Sequence, residues 1–154
     1  MLQEAPDSPR RRCYACGEDN NEGLRIDFRL EGRKAIGLFS PRNAHQGYPG
    51  AMHGGVAAAA LDEAMAWAAI GSGHWGTTAR LDVRFRKALP LQGSLVVTAE
   101  VVRERARWLE VHGRLSSEGG DLLAEASGLL QKATQQESKD LDKLYFLKGG
   151  DTVE

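Results

Sequence analysis

The sequence predicts an α+β fold in which an antiparallel sheet wraps one long central helix, and three observations predict it. Only one stretch, His53 to Ile70, carries a long helical pattern: two glycines, then alanines that a helix tolerates best, closed by Gly71-Ser72-Gly73. Segments on both sides of it alternate apolar and polar residues with a period of two, the pattern of half-buried strands. The connections between those segments are short and built from turn residues, which suits hairpins rather than the crossovers of a parallel sheet. At 154 residues, 42% hydrophobic, the chain is sized for one domain with a sizeable core.

Taken in order, residues 1–12 read as a flexible N-terminal arm ending in Arg10-Arg11-Arg12, a solvated tail or a phosphate contact. Residues 13–133 form the domain, and 134–154 a C-terminal tail. Glu18 to Gly23 is turn chemistry that sets up a first strand, Leu24 to Glu31, where Leu24, Ile26, Phe28 and Leu30 share one face. Glu31-Gly32-Arg33 turns the chain into a shorter strand, Ala35 to Phe39. Residues 40–52, with two prolines and two glycines, have no usable period and form an irregular loop. Its Asn43, His45, Gln46 and Tyr48 are candidate contacts, each better suited to a turn or surface role. After the helix, Thr77 to Lys87 alternates, placing Ala79, Leu81, Val83 and Phe85 on one face and Arg80, Asp82, Arg84 and Arg86 on the other. Ser94 to Arg105, Trp108 to Ser116 and Leu122 to Ala133 complete the sheet. Glu137 to Lys148 is a short docking helix or a frayed tail.

Composition excludes some functions. Lys and Arg number 20 against 21 Asp and Glu, which gives no general argument for nucleic acid or a membrane as partner. No apolar stretch is long enough to span a bilayer and the N-terminus lacks a signal-like segment, so the expected compartment is the cytoplasm. Cys13-Tyr-Ala-Cys16-Gly reads as half a zinc site, a redox pair or two small apolar residues in a turn. Zinc normally takes four ligands and there is no second cysteine pair, so the expectation is no metal.

The helix is chemically odd because Asp62 and Glu63 interrupt an apolar segment. A carboxylate there is hydrogen-bonded, open to a cleft or shifted in pKa, and the helix start offers unpaired N–H groups that favour developing negative charge. Gly54 and Asp62 are separated by about 12 Å of rise and about 80° of rotation, too far to reach one substrate atom together. If both serve one reaction, the two come from different copies of the helix, which predicts a two-fold homodimer. Adjacent residues point about 100° apart, so only one of Asp62 and Glu63 faces the site, and Asp62 is preferred. An Ala-rich core helix whose Asp62 merely satisfies backbone groups is the other reading, and the residues alone leave both open.

Three passages together resemble the hotdog-fold acyl-coenzyme A thioesterases, in particular the phenylacetic-acid-pathway branch, which is 4-hydroxybenzoyl-CoA thioesterase-like. They are Cys13-Tyr-Ala-Cys16-Gly with Asn20-Asn21-Glu22-Gly23-Leu24; His53-Gly-Gly with Leu61-Asp62-Glu63; and Thr78 through Pro90. The resemblance implies a hotdog fold, a helix held by a curved sheet, with two protomers pairing to build two sites. It implies that Asp62 is the base or nucleophile, that the Gly54 amide polarises the carbonyl, that His53 is the histidine before the glycine pair, and that Thr78 holds the attacking water. Gln46 falls near a loop Asn or Gln of some relatives, in an uncertain register. Arg80, Arg84, Arg86 and Lys87 suit the phosphates of coenzyme A, as part of the substrate and with no separate cofactor, though a solvated strand face with Asp82 as its counter-charge is the preferred reading of any single one.

The activity so implied is hydrolysis of acyl-CoA by a homodimer or a dimer of dimers, with an acyl tunnel near Met52, Ala58, Met65 and Trp67. Two alternatives stand beside it. One is a hotdog protein that binds acyl-CoA without turnover. The other is a hydroxyacyl-thioester dehydratase, whose loop His45-Gln-Gly-Tyr-Pro49-Gly50 faintly resembles, although the position fourteen beyond His45 holds Ala59 rather than an acid.

Overall fold

In the computed structural model, which describes residues 9–145, alanine spacing decides how closely helix and sheet approach. Ala57, Ala60, Leu61, Ala64, Met65 and Ala68 recur at three- and four-residue intervals along helix α1 (Gly54–Gly71), and all are buried. That stripe lies on a sheet of strands β1 (Asp27–Glu31), β2 (Lys34–Phe39), β3 (Gly76–Phe85), β4 (Leu95–Glu104), β5 (Trp108–Ser117) and β6 (Leu122–Lys132). The order across the sheet is β1-β2-β4-β5-β6-β3, with every neighbouring pair antiparallel, so the chain has the expected α+β hotdog architecture. Leu95, Val97, Leu109, Val111, Leu115 and Leu130 meet the helix from the sheet side. Met65 fits because Gly128 lies beneath it: a Cβ there would come within 2.5 Å of the Met65 sulfur.

Both ends of α1 are capped. His53 is the N-cap, its Nδ1 accepting the Gly55 N–H at 2.9 Å. At the other end Ser72 Oγ donates to the Ala68 carbonyl at 2.9 Å, and Gly73 takes a φ of +86° that suits glycine.

Four elements depart from the sequence reading. The first strand begins at Asp27 rather than Leu24, because the Leu24 and Ile26 amides donate to Tyr14 and Ala15 carbonyls at 2.8 and 2.9 Å while Arg25 sits at a φ of +50°. The last residues of the expected arm, Pro9–Arg12, form a 3-10 turn that Arg11 fastens to Glu18 and Asp19; residues 1–8 lie outside the described residues. The C-terminal helix, α2 (Gln135–Tyr145), starts earlier than Glu137 and docks through Trp75, whose indole donates to Asp142 at 2.8 Å and lies against the Tyr145 ring; Phe146 to Lys148 lie outside the described residues.

The fourth departure bears on the site. Thr78 pairs with Leu130 and Arg80 with Leu129, so Ala79 is an extra residue, a β-bulge. The bulge resets the alternation. Thr78 joins Leu81 and Val83 on the helix-facing side, and Ala79, expected there, is exposed.

Candidate active site

Asp62 projects from the middle of α1 toward β3, and the bulge at Ala79 turns Thr78 to meet it. The Thr78 hydroxyl donates to Asp62 Oδ1 at 2.6 Å, a short bond of the charge-assisted kind, between two half-buried side chains. One carboxylate oxygen is thereby fixed, and Oδ2 has no protein hydrogen-bond donor among the described residues.

Gly54 opens the same helix. The amides of the next three residues are taken: Gly55 by the His53 ring, Val56 and Ala57 by the His53 carbonyl. The Gly54 N–H has no acceptor among the described residues. The half-exposed Phe85 ring stands beside it, 3.3 Å from where a Gly54 Cβ would be. The arrangement thus offers a free helix-start amide at one end of α1 and a threonine-anchored carboxylate eight residues along it. Within one chain, the helical separation keeps them from sharing a small substrate atom.

His53 serves the fold as the cap of α1. The exposed Gln46 folds back on its own loop, bridging to Met52 and accepting the Gly50 amide at 3.4 Å. His45 is fully buried: Nδ1 accepts the Arg42 amide at 3.0 Å, and Nε2 lies 3.2 Å from the Glu22 and Gly23 carbonyls, which makes it the N–H-bearing nitrogen. It ties the loop to the N-terminal segment, so the candidate contact role for His45 is replaced by a structural one. The proposed tunnel residue Met65 is likewise buried in the helix–sheet core, and Trp67 stacks on Phe28 at 5.9 Å between centroids.

Glu63 points elsewhere. Its Oε1 accepts the Trp67 indole N–H at 3.2 Å and lies 3.5 Å from Cys13 Sγ. One ligand atom from each of Cys13, Cys16 and Glu63 falls within a 4.8 Å cluster. A hydrogen bond from Cys16 is the main cause holding the Cys13 thiol down at about 5, helped by the N–H groups of Cys16 and Ala15, while that same bond and burial push the Cys16 thiol up. Burial, then the Cys13 charge, pushes Glu63 up to about 7. Burial, then the same charges, raises the Tyr145 hydroxyl, which borders this cluster from α2.

The four basic residues do not converge on Asp62. Arg80 pairs with Asp82 at 3.1 Å, Arg86 with Glu125, and Lys87 with Asp121 at 2.9 Å. Arg80 and Arg84 line an open groove of about 1060 Å³ on the outward face of the sheet, together with Lys34, His112 and Arg114.

A family model described as the thioesterase superfamily matches residues 49–124, which hold Gly54, Asp62 and Thr78. This chain belongs to that superfamily. The superfamily match is joined by human acyl-coenzyme A thioesterase THEM5, 33% identical over 49% of this chain and 31% of its own length. Mouse acyl-coenzyme A thioesterase THEM4 is 31% identical over 72% of this chain and 50% of its own. The chain therefore spans between about a third and a half of these relatives' length. A crystal structure of another thioesterase superfamily protein is 26% identical with a TM-score of 0.74, covering 78% of this chain and 63% of that one. A hypothetical thioesterase from Streptococcus pneumoniae, crystallised with coenzyme A, shares the fold at 18% identity and a TM-score of 0.68, covering 71% of this chain and 87% of that one.

The superfamily's helix and following strand were legible from the motifs around Asp62. Two features were not: the bulge that aims Thr78, and the meeting of Glu63 with the cysteines. For the second, a signal did exist, since Glu63 is set about 100° around the helix from Asp62 and so faces a different neighbour.

Proposed function

We propose that this chain hydrolyses acyl-coenzyme A thioesters to a carboxylic acid and free coenzyme A, in a homodimer whose sites combine Asp62 of one protomer with the Gly54 amide of its partner. The observation that carries the reading is the 2.6 Å bond from Thr78 to Asp62. It holds the carboxylate as an acceptor and leaves Oδ2 for a water proton. As base, Asp62 takes a proton from water while the oxygen attacks the thioester carbon; the tetrahedral oxyanion collects on the Gly54 N–H, and collapse breaks the C–S bond to release the thiolate, which is then protonated. A helix-start amide aimed at such an oxyanion contributes on the order of 10²–10³ in rate, and a positioned base about 10²–10⁴. Asp62 as nucleophile, through an anhydride that water opens, uses the same geometry.

The names of the human and mouse relatives, and coenzyme A bound in the pneumococcal structure, support the substrate class. In that pneumococcal protein an aspartate and a threonine sixteen positions apart have each been replaced by alanine, the spacing of Asp62 and Thr78 here. The dimer is supported by β3, an edge strand whose outer backbone groups have no ladder partner among the described residues and which a second copy would satisfy by antiparallel pairing. The coenzyme phosphates then fall to Arg84 and to those of Arg80, Arg86 and Lys87 that exchange their acidic partners for phosphate. His45, buried and held by three backbone groups, disfavours the dehydratase alternative.

The test is thiol release from short, medium, long and aromatic acyl-CoAs by wild type and Asp62→Asn. Turnover at least about 10²-fold lower in the variant supports the reading. Equal rates would remove Asp62 from it, and a folded dimer that binds acyl-CoA without releasing thiol would favour the binding-protein alternative.

A further inference from the structure

Cys13 and Cys16 are brought onto α1 by a tight turn. The Gly17 amide donates to the Cys13 carbonyl at 2.9 Å, and a Cβ on Gly17 would fall within 2.5 Å of the Cys13 backbone, so glycine alone fits there. Both sulfurs then face Glu63, fifty residues away from Cys13 in sequence, and the three ligand atoms gather within 4.8 Å.

We infer that Cys13, Cys16 and Glu63 form a binding site for a thiophilic divalent cation of the zinc class, which pins the N-terminal segment to the central helix. Zinc takes sulfur at about 2.3 Å and carboxylate oxygen at about 2.0–2.2 Å, and in a tetrahedron these bonds set sulfur and oxygen about 3.6 Å apart. Cys13 Sγ and Glu63 Oε1 are 3.5 Å apart. Two residues between the cysteines is a spacing of structural zinc sites, and the Trp67 indole bonded to Glu63 Oε1 fixes the carboxylate as outer hydrogen bonds do around metal ligands. On binding, both thiols ligate as thiolates, their protons pass to solvent, and water takes the fourth position. The site is separate from Asp62 and Thr78, on another side of α1, and its role is structural. The sequence-level expectation of no metal missed the third ligand because Glu63 is distant in sequence from the pair.

The test reads metal rather than hydrolysis, so it stands whether or not the chain is a thioesterase. The full chain is purified with reductant and without chelator, its zinc measured by mass spectrometry, and the stripped protein titrated with Co²⁺. About one zinc per chain and thiolate-to-cobalt charge-transfer absorption in wild type are expected. Cys13→Ser and Cys16→Ser should lose that absorption, and Glu63→Gln should keep it with affinity at least about tenfold lower. Circular dichroism separates loss of metal from loss of fold, and the wild-type spectrum decides the matter even if the variants unfold. Two free thiols with no cobalt spectrum, a Cys13–Cys16 disulfide under reductant, or an affinity indifferent to Glu63 would overturn the site.

Discussion

Replacing Thr78 by Val removes one hydroxyl and almost nothing else, since the two side chains are nearly isosteric. The bond it deletes, to Asp62 Oδ1 at 2.6 Å, is the only protein donor to that carboxylate among the described residues. A hydrogen bond to a charged acceptor contributes about 1.5–3 kcal/mol, and both partners are half-buried, so the coupling between them should fall in that range. For a chain of this length, 1 kcal/mol moves the thermal midpoint by about 2–4 °C, which puts the single change at roughly 3–12 °C. The cleaner measurement is a double-mutant cycle of Thr78→Val with Asp62→Ala by urea denaturation, at one fixed protomer concentration because dimerisation adds to apparent stability. Additivity within about 0.3 kcal/mol would show that the two side chains do not interact. Thr78→Ser keeps the donor and should behave as wild type in the cycle.

Other outcomes follow from the same geometry. Gly128→Ala drives a Cβ to 2.5 Å from the Met65 sulfur, so it should cost about 1–3 kcal/mol in urea melts and less in a Met65→Ala background, where that contact is absent. His45→Ala strands the Arg42 amide and leaves the Glu22 carbonyl short of a donor beside a fully buried position, while the Gly23 carbonyl keeps the Arg42 guanidinium; roughly 1–3 kcal/mol should be lost, with the urea m-value unchanged. Trp75→Phe removes the 2.8 Å bond to Asp142 and should expose α2 to limited proteolysis while leaving the sheet intact. Lys132 first, then His74, holds Glu104 below the usual carboxylate range. A carboxyl depressed on folding stabilises the protein above its unfolded value near 4.5 and loses that contribution as pH falls through its folded value, so Glu104→Gln should flatten the thermal midpoint between about pH 6 and pH 3.

What the sequence disclosed and what it withheld divide along physical lines. The helix could be placed because glycines, alanines and a Gly-Ser-Gly stop are local signals, and the strands because burial of one face imposes a period of two over most of each. The candidate site was half legible: Asp62 stands out as a carboxylate in an apolar helix, whereas the direction of Thr78 depends on Ala79 being left out of the ladder, which no local signal announces. Ala79 looks like a normal inward position until its pairing with β6 is known. The partner of Glu63 was hidden for a different reason, since Cys13 reaches it only after the N-terminal turn folds over α1. Met65 suited a tunnel by its chemistry, but two glycines of the sheet draw it into the core instead.

The extra residue in β3 also has an evolutionary side. Along most of a strand, gaining or losing one residue turns everything beyond it inside out and is paid for with the whole core face. At Ala79 the arithmetic is different: were it lost, Thr78 would adjoin Arg80, both would keep their partners Leu130 and Leu129, and Thr78 would still face the helix. Position 79 is therefore a place where descendants of this chain can differ in length by one residue and keep the same carboxylate anchored, and an aligned gap there would mark a neutral change of ladder rather than a lost function.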